Sequence, residues 1–323
     1  MPRKVNVATV CMGGYRGGSI AANLDYTLSL LDAACSLHPD VVCLPENFAT
    51  VGISPPLAEK AQPVPGPVTD ACAERARRNR AYVICPLTRK SGGLFLNSAV
   101  VIDRGGQIAG IYDKAHPVTT ASNFSAAENG MTPGGEPQVF ELDFGKIACQ
   151  ICFDLGFPET WALLKRKGAE IVFWPSAYDG GFPLRLYAYL HQYYVVSSVR
   201  TNASRIVNPA GDVLEQTDYR LKIASRSIDL DFIICHSDFH PFIPLELVRK
   251  YGPDVSVKTH MEEGIFLVET NSDGLPLSRV ITEFGLEPSR KYYERHHPLY
   301  EALLAGKKPE PQKTPYEGRA QWG

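Results

Sequence analysis

The sequence predicts an α/β protein in which a pair of mixed sheets packs together with helices on the outside. Three observations predict it. A βαβ unit fills the first part of the chain, three hairpins with glycine-bearing turns recur along it, and two later helix-period segments separate short, fully apolar runs. There are more strands than a single parallel sheet flanked by helices would use.

In order, KVNVATVCM (4–12) and DVVCLPE (40–46) read as buried strands, and Leu24, Leu28, Leu31 and Cys35 mark one helix face between them. Ala71 to Arg80 has helical spacing, and AYVICPL (81–87) is again a strand. The hairpins are NSAVVIDRGGQIAGIYDK, PQVFELDFGKIACQIC and ASRIVNPAGDVLEQT. Helices over Thr160–Lys167 and about Leu184–Tyr193 separate the strands EIVFWP and YVVSSVR. No tandem repeat is present. We expect one domain over residues 1–305 and an extended tail over 306–323, where GKKPEPQKTPYEGRAQWG has no apolar period.

The 323 residues are 44% hydrophobic and 21% charged, enough apolar material for a large core. Thirty-three Lys and Arg against 35 Asp and Glu give a net charge of −2, without the basic excess that phosphate backbones select, so no nucleic-acid partner is expected. No apolar run reaches the roughly 18 residues of a membrane span, and Met1-Pro2-Arg3-Lys4 leads into a strand rather than a signal peptide. The expectation is a cytoplasmic protein with no membrane partner. Eight cysteines, at 11, 35, 43, 72, 85, 149, 152 and 235, sit mostly inside apolar runs as small hydrophobes do, so no disulfide framework is expected.

Glu46, Lys114 and Cys152 stand out because each closes a buried run: DVVCLPE, QIAGIYDK and GKIACQIC. Ligands collect outside strand ends in α/β sheets, so groups there face a cleft. Taken singly, a terminal Glu or Lys is ordinarily a solvated edge group and a buried Cys ordinarily inert packing.

Their surroundings carry more. With LPE (44–46), YDK (112–114), PGGEPQVFELDFGKIACQICFDLGFPE (133–159), GAEIVFWPSAY (168–178) and SRIVNPAGDVL (204–214), the chain resembles the carbon-nitrogen hydrolase family, the nitrilase-like amidases, over residues 4 to 228. The resemblance implies a four-layer αββα sandwich, no metal or organic cofactor, and a homodimer or larger homo-oligomer. It implies a triad of Glu46, Lys114 and Cys152. A second glutamate falls best on Glu128, with Glu136, just past Pro133-Gly134, the weaker match. Residues 229–300 depart from the family's usual short ending and are expected at a subunit interface or over a pocket.

The chemistry asks for these residue types. An ordinary thiol is only a few per cent thiolate at neutral pH and needs a neighbouring base. An amide nitrogen leaves poorly unless protonated, and a positioned acid contributes about 10² to 10⁴ in rate. The family reading gives both tasks to Glu46, the network around it to Glu128, and the oxyanion to the Lys114 ammonium and the Phe153 N–H. Pocket walls would come from Phe153, Asp154, Phe157, Trp174, Ser176, Ala177 and Tyr178, though Trp174 and Tyr178 could equally be core. For a substrate carboxylate, Arg185, Arg200 and Arg205 are candidates the sequence does not separate. True nitrilases follow the nucleophile with Trp-Glu; here Phe153-Asp154 follows, which favours a small amide or ureido (N-carbamoyl) substrate. Nitrile hydrolysis and a silent scaffold protein are the alternatives.

Other readings are weaker. Cys149 and Cys152 form a C-x-x-C pair, but no second pair exists for zinc and a redox pair would sit at a helix N-terminus. No papain signature surrounds any Cys, although His116, His191, His236 and His240 are available. GGYRGGS (13–19) lacks the GK[ST] of a phosphate loop, and adjacent His296 and His297 make a poor metal site.

Overall fold

The computed structural model describes residues 2–319 apart from 55, 120–123 and 129; the end of the tail, 320–323, lies outside the described residues. The chain forms two compact units, one over Val5–Ile228 and one over Asp229 onward with the first four residues.

The larger unit runs β1 (Lys4–Val10), α1 (Ile20–Cys35), β2 (Val41–Cys43), α2 (Leu57–Lys60), α3 (Pro67–Asn79), β3 (Tyr82–Ser91), β4 (Leu94–Ile102) and β5 (Ile108–Asp113). It continues β6 (Val139–Glu141), β7 (Lys146–Cys149), α4 (Pro158–Arg166), β8 (Ile171–Ser176), α5 (Phe182–His191), β9 (Tyr194–Val199), β10 (Arg205–Val207), β11 (Val213–Gln216) and β12 (Ile223–Asp229). Two six-stranded sheets result, ordered β12-β1-β2-β3-β4-β5 and β11-β10-β9-β8-β7-β6. Each is mixed: β1, β2 and β3 are parallel and β3, β4 and β5 antiparallel, while β7, β8 and β9 are parallel and their flanking strands antiparallel.

Alternation along the strands explains the layers. Ala8, Val10, Val42, Leu44, Val83 and Cys85 face outward against Leu28, Leu31 and Cys35 of α1 and Val68, Cys72 and Ala76 of α3. In the other sheet Ala148, Val172, Trp174 and Val195 face Trp161 and Leu164 of α4 and Leu184 and Ala188 of α5. The residues between them, such as Val7, Thr9, Cys43, Ile84, Cys149 and Phe173, are buried too, so the inner faces pack on each other. Hydrogen bonds stitch the two sheets at their centre: Thr9 Oγ1 donates to Ser197 O at 2.6 Å and Ser198 Oγ to Val10 O at 2.8 Å. The expected four-layer αββα sandwich is the observed one.

The three expected hairpins form, as β4/β5, β6/β7 and β10/β11. A fourth was not anticipated. Strand β3 continues beyond the apolar AYVICPL to Ser91 and pairs with β4 across the two-residue turn Gly92-Gly93, both with positive φ (54° and 85°). The polar run Thr88-Arg89-Lys90 hid it; Arg89 is neutralised across the sheet by Asp113 at 2.7 Å. Helix α1 begins at Ser19, whose Oγ accepts the Ala22 N–H at 3.1 Å.

The second unit holds β13 (Phe232–His236), α6 (Ile243–Tyr251), β14 (Val255–His260), β15 (Ile265–Thr270), α7 (Leu277–Phe284), α8 (Ser289–Glu294) and α9 (His296–Leu304). Its antiparallel sheet, β13-β15-β14, buries Cys235, Phe266 and Val268 against Leu247 of α6 and Val280 of α7. The segment after Gly306 has neither helix nor strand up to Thr314. It is fastened nonetheless, because buried Tyr316 accepts from His236 Nε2 at 2.8 Å and donates to Glu287, and Arg319 donates to Phe284 O at 2.6 Å. Among the described residues no helix is long and apolar enough to cross a membrane.

Candidate active site

Glu46, Lys114 and Cys152 do not end the strands themselves. β2 stops at Cys43, β5 at Asp113 and β7 at Cys149, so the ladders release the chain before each functional residue. Single backbone bonds carry it onward, Leu44 N–H to Ile84 O at 3.1 Å and Gln150 N–H to Phe173 O at 2.9 Å. The chain then turns sharply at Asn47 (φ 46°) and at Cys152 (φ 47°). Freed from the pleat, these side chains converge beyond the carboxyl ends of β2, β5 and β7, the sheet edge where α/β proteins place their sites.

The Lys114 ammonium lies between two carboxylates, 3.2 Å from Glu46 Oε1 and 2.5 Å from Glu128 Oε1. Asn97 Nδ2 donates to both, at 2.8 Å to Glu46 and 3.3 Å to Glu128. Glu128 Oε1 also accepts the Val118 N–H at 3.1 Å. The lysine backbone is pinned as well, its N–H to Asn97 O and its carbonyl to the Gly134 N–H, both 2.8 Å. Gly134 is required there: a Cβ would lie 2.1 Å from Asp113 O. Of the two candidate second glutamates, Glu128 joins this cluster, whereas Glu136 pairs with Lys167.

Burial sets the electrostatics. Burial by itself raises the Glu46 carboxyl, but Arg200 and then Lys114, with hydrogen bonds from Asn97 and Lys114, outweigh it and hold Glu46 below the ordinary carboxylate value. Burial would lower the Lys114 ammonium, and the Glu46 charge, with Glu128, outweighs it and keeps the ammonium above its ordinary value. The Cys152 thiol is pushed up to about 11, first by burial and then by the Glu46 charge, against the opposing influence of Lys114, the Ala177 backbone and Ser176. At rest the cluster is thiol, carboxylate and ammonium.

Cys152 opens a 3-10 turn, Cys152–Gly156, in a left-handed conformation that costs a non-glycine residue about 1–3 kcal/mol. Aromatic donors hold it. Trp174 Nε1 donates to Cys152 O, Trp161 Nε1 to Asp154 O and Tyr187 Oη to Leu155 O, each at 3.0 Å. The Phe153 N–H, at the second position of this turn, precedes any intrahelical acceptor.

Asp154, expected as a pocket wall, is instead fully buried and serves as a hub. Its Oδ2 accepts from Ile151 N at 2.8 Å and Tyr112 Oη at 2.7 Å, and its Oδ1 from His116 N at 3.0 Å. Tyr112 and His116 bracket Lys114, so this carboxylate clips the lysine segment to the cysteine turn. No residue spacing announces the contact, since Tyr112 and Asp154 are 42 positions apart.

The other expected walls divide. Phe153 and Tyr178 are 41% and 43% exposed, Phe157 stacks on His116, and Ala177 is partly buried. Trp174 belongs to the core between β8 and α5, and buried Ser176 accepts the Tyr178 N–H at 3.1 Å. Among the arginines, Arg185 donates to Gly211 O and Arg205 to Gln216 and Asp179 O. Only Arg200 of the three reaches the cluster. It also lines, with Glu128, Asn47, Lys60, Thr88 and Met131, a cavity of about 460 Å³. Its part was not legible as more than one of three candidates.

The competing motifs find no site. Cys149 is buried between the sheets with its thiol pushed up to about 12 by burial, and none of the cysteines is in a disulfide. The Gly13 and Gly14 N–H groups donate to Thr201 O and Arg200 O rather than opening toward an anion. Among the described residues no group of three His, Cys, Asp or Glu side chains is arranged to hold a metal.

Comparison with known proteins places the chain. A profile of the carbon-nitrogen hydrolase family matches residues 6–234. The chain is 28% identical, over 72% of its length, to the nitrilase and fragile histidine triad fusion protein NitFhit of Drosophila melanogaster, and 31% identical, over 56%, to beta-ureidopropionase of Arabidopsis thaliana. It spans only about half of those two, 55% and 47%. Omega-amidase NIT2 of Xenopus tropicalis is 25% identical over 71% of this chain and 90% of its own. The crystal structure of a carbon-nitrogen hydrolase from Helicobacter pylori G27 shares the fold, with a TM-score of 0.61 and 21% identity over 71% of this chain and 90% of that one. The match spans both sheets and every residue of the cluster around Lys114: this chain belongs to the carbon-nitrogen hydrolase family.

Proposed function

We propose that the protein hydrolyses the C–N bond of a small amide or N-carbamoyl compound through a Cys152 thioester, releasing ammonia or an amine. The observation that carries this reading is a buried ammonium shared by two carboxylates beside a buried thiol on a strained turn. Such an arrangement is expensive to bury and does little for packing.

Burial and the Glu46 charge hold Cys152 as a thiol, so in this mechanism the nucleophile loses its proton as it attacks. In this mechanism the Cys152 sulfur adds to the carbonyl carbon while its proton passes to Glu46. Lys114 and the Phe153 N–H stabilise the oxyanion, a contribution of about 3–4 kcal/mol for one such donor. Glu46 returns the proton to the departing nitrogen, leaving a thioester, and then takes a proton from the water that cleaves it. Glu128 holds Lys114 in register. Phe153, Ala177 and Tyr178 contribute walls to the substrate site, with Trp174, Ser176 and Asp154 bracing them from behind. Two of the relatives are named as an omega-amidase and a beta-ureidopropionase, which supports amide and ureido substrates. The same reading includes a cytoplasmic homodimer or larger oligomer, with Phe182 and Leu190 of α5 as exposed apolar contacts.

The test is purified protein offered matched amide, ureido and nitrile substrates, scored for ammonia or amine together with carboxylic acid from the amide and nitrile and carbon dioxide from the ureido compound. Turnover of amide or ureido compounds at a rate at least about tenfold above the nitrile is expected, because only a nitrile needs an additional hydration to reach the thioester. Preferential nitrile hydrolysis contradicts the substrate assignment. Inertness to all three favours a scaffold protein.

A further inference from the structure

Arg200 sits at the end of β9, on the sheet that carries Cys152, and reaches across to the residue that the mechanism uses as base. Its Nε donates to the Glu46 backbone carbonyl at 2.6 Å, and its terminal nitrogen is 3.4 Å from Glu46 Oε2. The other carboxylate oxygen, Oε1, takes Lys114 and Asn97. Both ends of Glu46, main chain and side chain, are therefore gripped by one guanidinium whose fork geometry a lysine does not reproduce. The Arg200 backbone is fixed in turn, its N–H to Ser176 O at 3.0 Å and its carbonyl to the Gly14 N–H at 2.9 Å.

We propose that Arg200 is a positioning residue for Glu46, keeping the carboxylate ionised and turned so that it can receive the Cys152 proton. This rests on the reading of Glu46 as the base. The charged and titratable groups that face Glu46 are Lys114, Arg200, Cys152, Glu128 through their shared Lys114 and Asn97, and Tyr178. Among the described residues two of these are cations, and Lys114 is divided between two carboxylates. Arg200 supplies the positive charge that is not shared with Glu128. Burial pushes the Glu46 carboxyl up, so without Arg200 the group moves toward the protonated form, which cannot accept a proton. One wall of the 460 Å³ cavity is the same guanidinium, which opens the competing role of binding a substrate carboxylate.

The experiment separates these roles without depending on turnover. Glutamate labelled with ¹³C at the δ-carboxyl is titrated by NMR in the full chain, with Glu46→Gln to assign the signal, and compared between the parent, Arg200→Gln and Arg200→Lys. Expected is a rise in the Glu46 midpoint of a unit or more in Arg200→Gln and an intermediate rise in Arg200→Lys. Where the parent hydrolyses an amide, the acid limb of kcat/KM should move to higher pH by the same amount, for neutral and carboxylate-bearing substrates alike. An unmoved Glu46 midpoint overturns the proposal. So does a rise in KM confined to carboxylate-bearing substrates with the pH profile unchanged, which makes Arg200 a substrate reader. If Arg200→Gln does not fold, Arg200→Lys decides, and no shift there overturns it. Failure of amide turnover in the parent tells against the proposed reaction and leaves the Glu46 titration standing as its own result.

Discussion

Cys152→Ala is expected to reduce amide turnover by about 10⁴-fold or more, and Cys149→Ala by no more than a few-fold. The two thiols are three residues apart and differ in every relevant respect. Cys149 ends β7 with its side chain between the sheets, where burial pushes the thiol up to about 12 and no charged group is near enough to matter. Removing its sulfur costs about 1–2 kcal/mol of packing and no chemistry. Cys152 lies on the strained turn with Glu46, Lys114 and Ser176 around it. Alanine relieves none of that architecture, so the Cys152→Ala protein should melt within a few degrees of the parent. Steady-state kinetics with thermal melts checks both variants, and the opposite pattern would reverse the assignment.

Lys114→Met is expected to lower turnover by about 10²-fold or more and also to destabilise the fold by about 3–5 kcal/mol at neutral pH. The sequence alone suggests a donor whose loss spares the fold, because a lysine at a strand end reads as solvated. The structure corrects that: Lys114 is 2% exposed and is ion-paired to both Glu46 and Glu128. Methionine keeps the stem and leaves two carboxylates facing one another. The sign of the pH dependence follows. In the parent, Glu46 is held low, so its contribution is present above the unfolded carboxylate value and is lost as pH falls through the folded one. In the variant Glu46 keeps Arg200 but loses the Lys114 charge, so its carboxyl moves up relative to the parent and lowering the pH should recover part of the lost stability. Denaturant unfolding of both proteins at pH 5 and pH 8 measures it. An equally stable variant at pH 8 would mean the lysine is not enclosed as described.

What was legible in the sequence was local. Alternation and glycine turns located the strands of both sheets except β12 and the second half of β3, and LPE, YDK and the segment around Cys152 singled out Glu46, Lys114 and Cys152 as candidates. Contacts between distant segments were not legible. Trp174 is both a core residue of β8 and the donor that holds the Cys152 carbonyl, and its apolar surroundings show only the first. Asp154 reads as a pocket residue because it closely follows Cys152, yet the turn rotates it inward onto Tyr112 and His116. Arg200 is 154 positions from Glu46 and meets it only because β9 and β2 lie in facing sheets. A periodicity argument sees one strand at a time, and these contacts need two sheets in place. The β3/β4 hairpin was missed for a simpler reason: its polar half broke the apolar run before Gly92-Gly93 was reached.

Hydrolysis through a covalent thioester on Cys152 leaves a trappable acyl-enzyme. The most direct measurement is peptide mapping by mass spectrometry of protein mixed with a good amide substrate and quenched in acid during turnover, since a thioester survives acid and a non-covalent complex does not. A thioester route gives an acyl mass on the peptide containing Cys152, with ammonia or an amine released ahead of the acid product by the amount of adduct, and no adduct in Cys152→Ala. Steady turnover with no adduct on any cysteine even when hydrolysis is slowed, or an adduct on Cys149 instead, would contradict it.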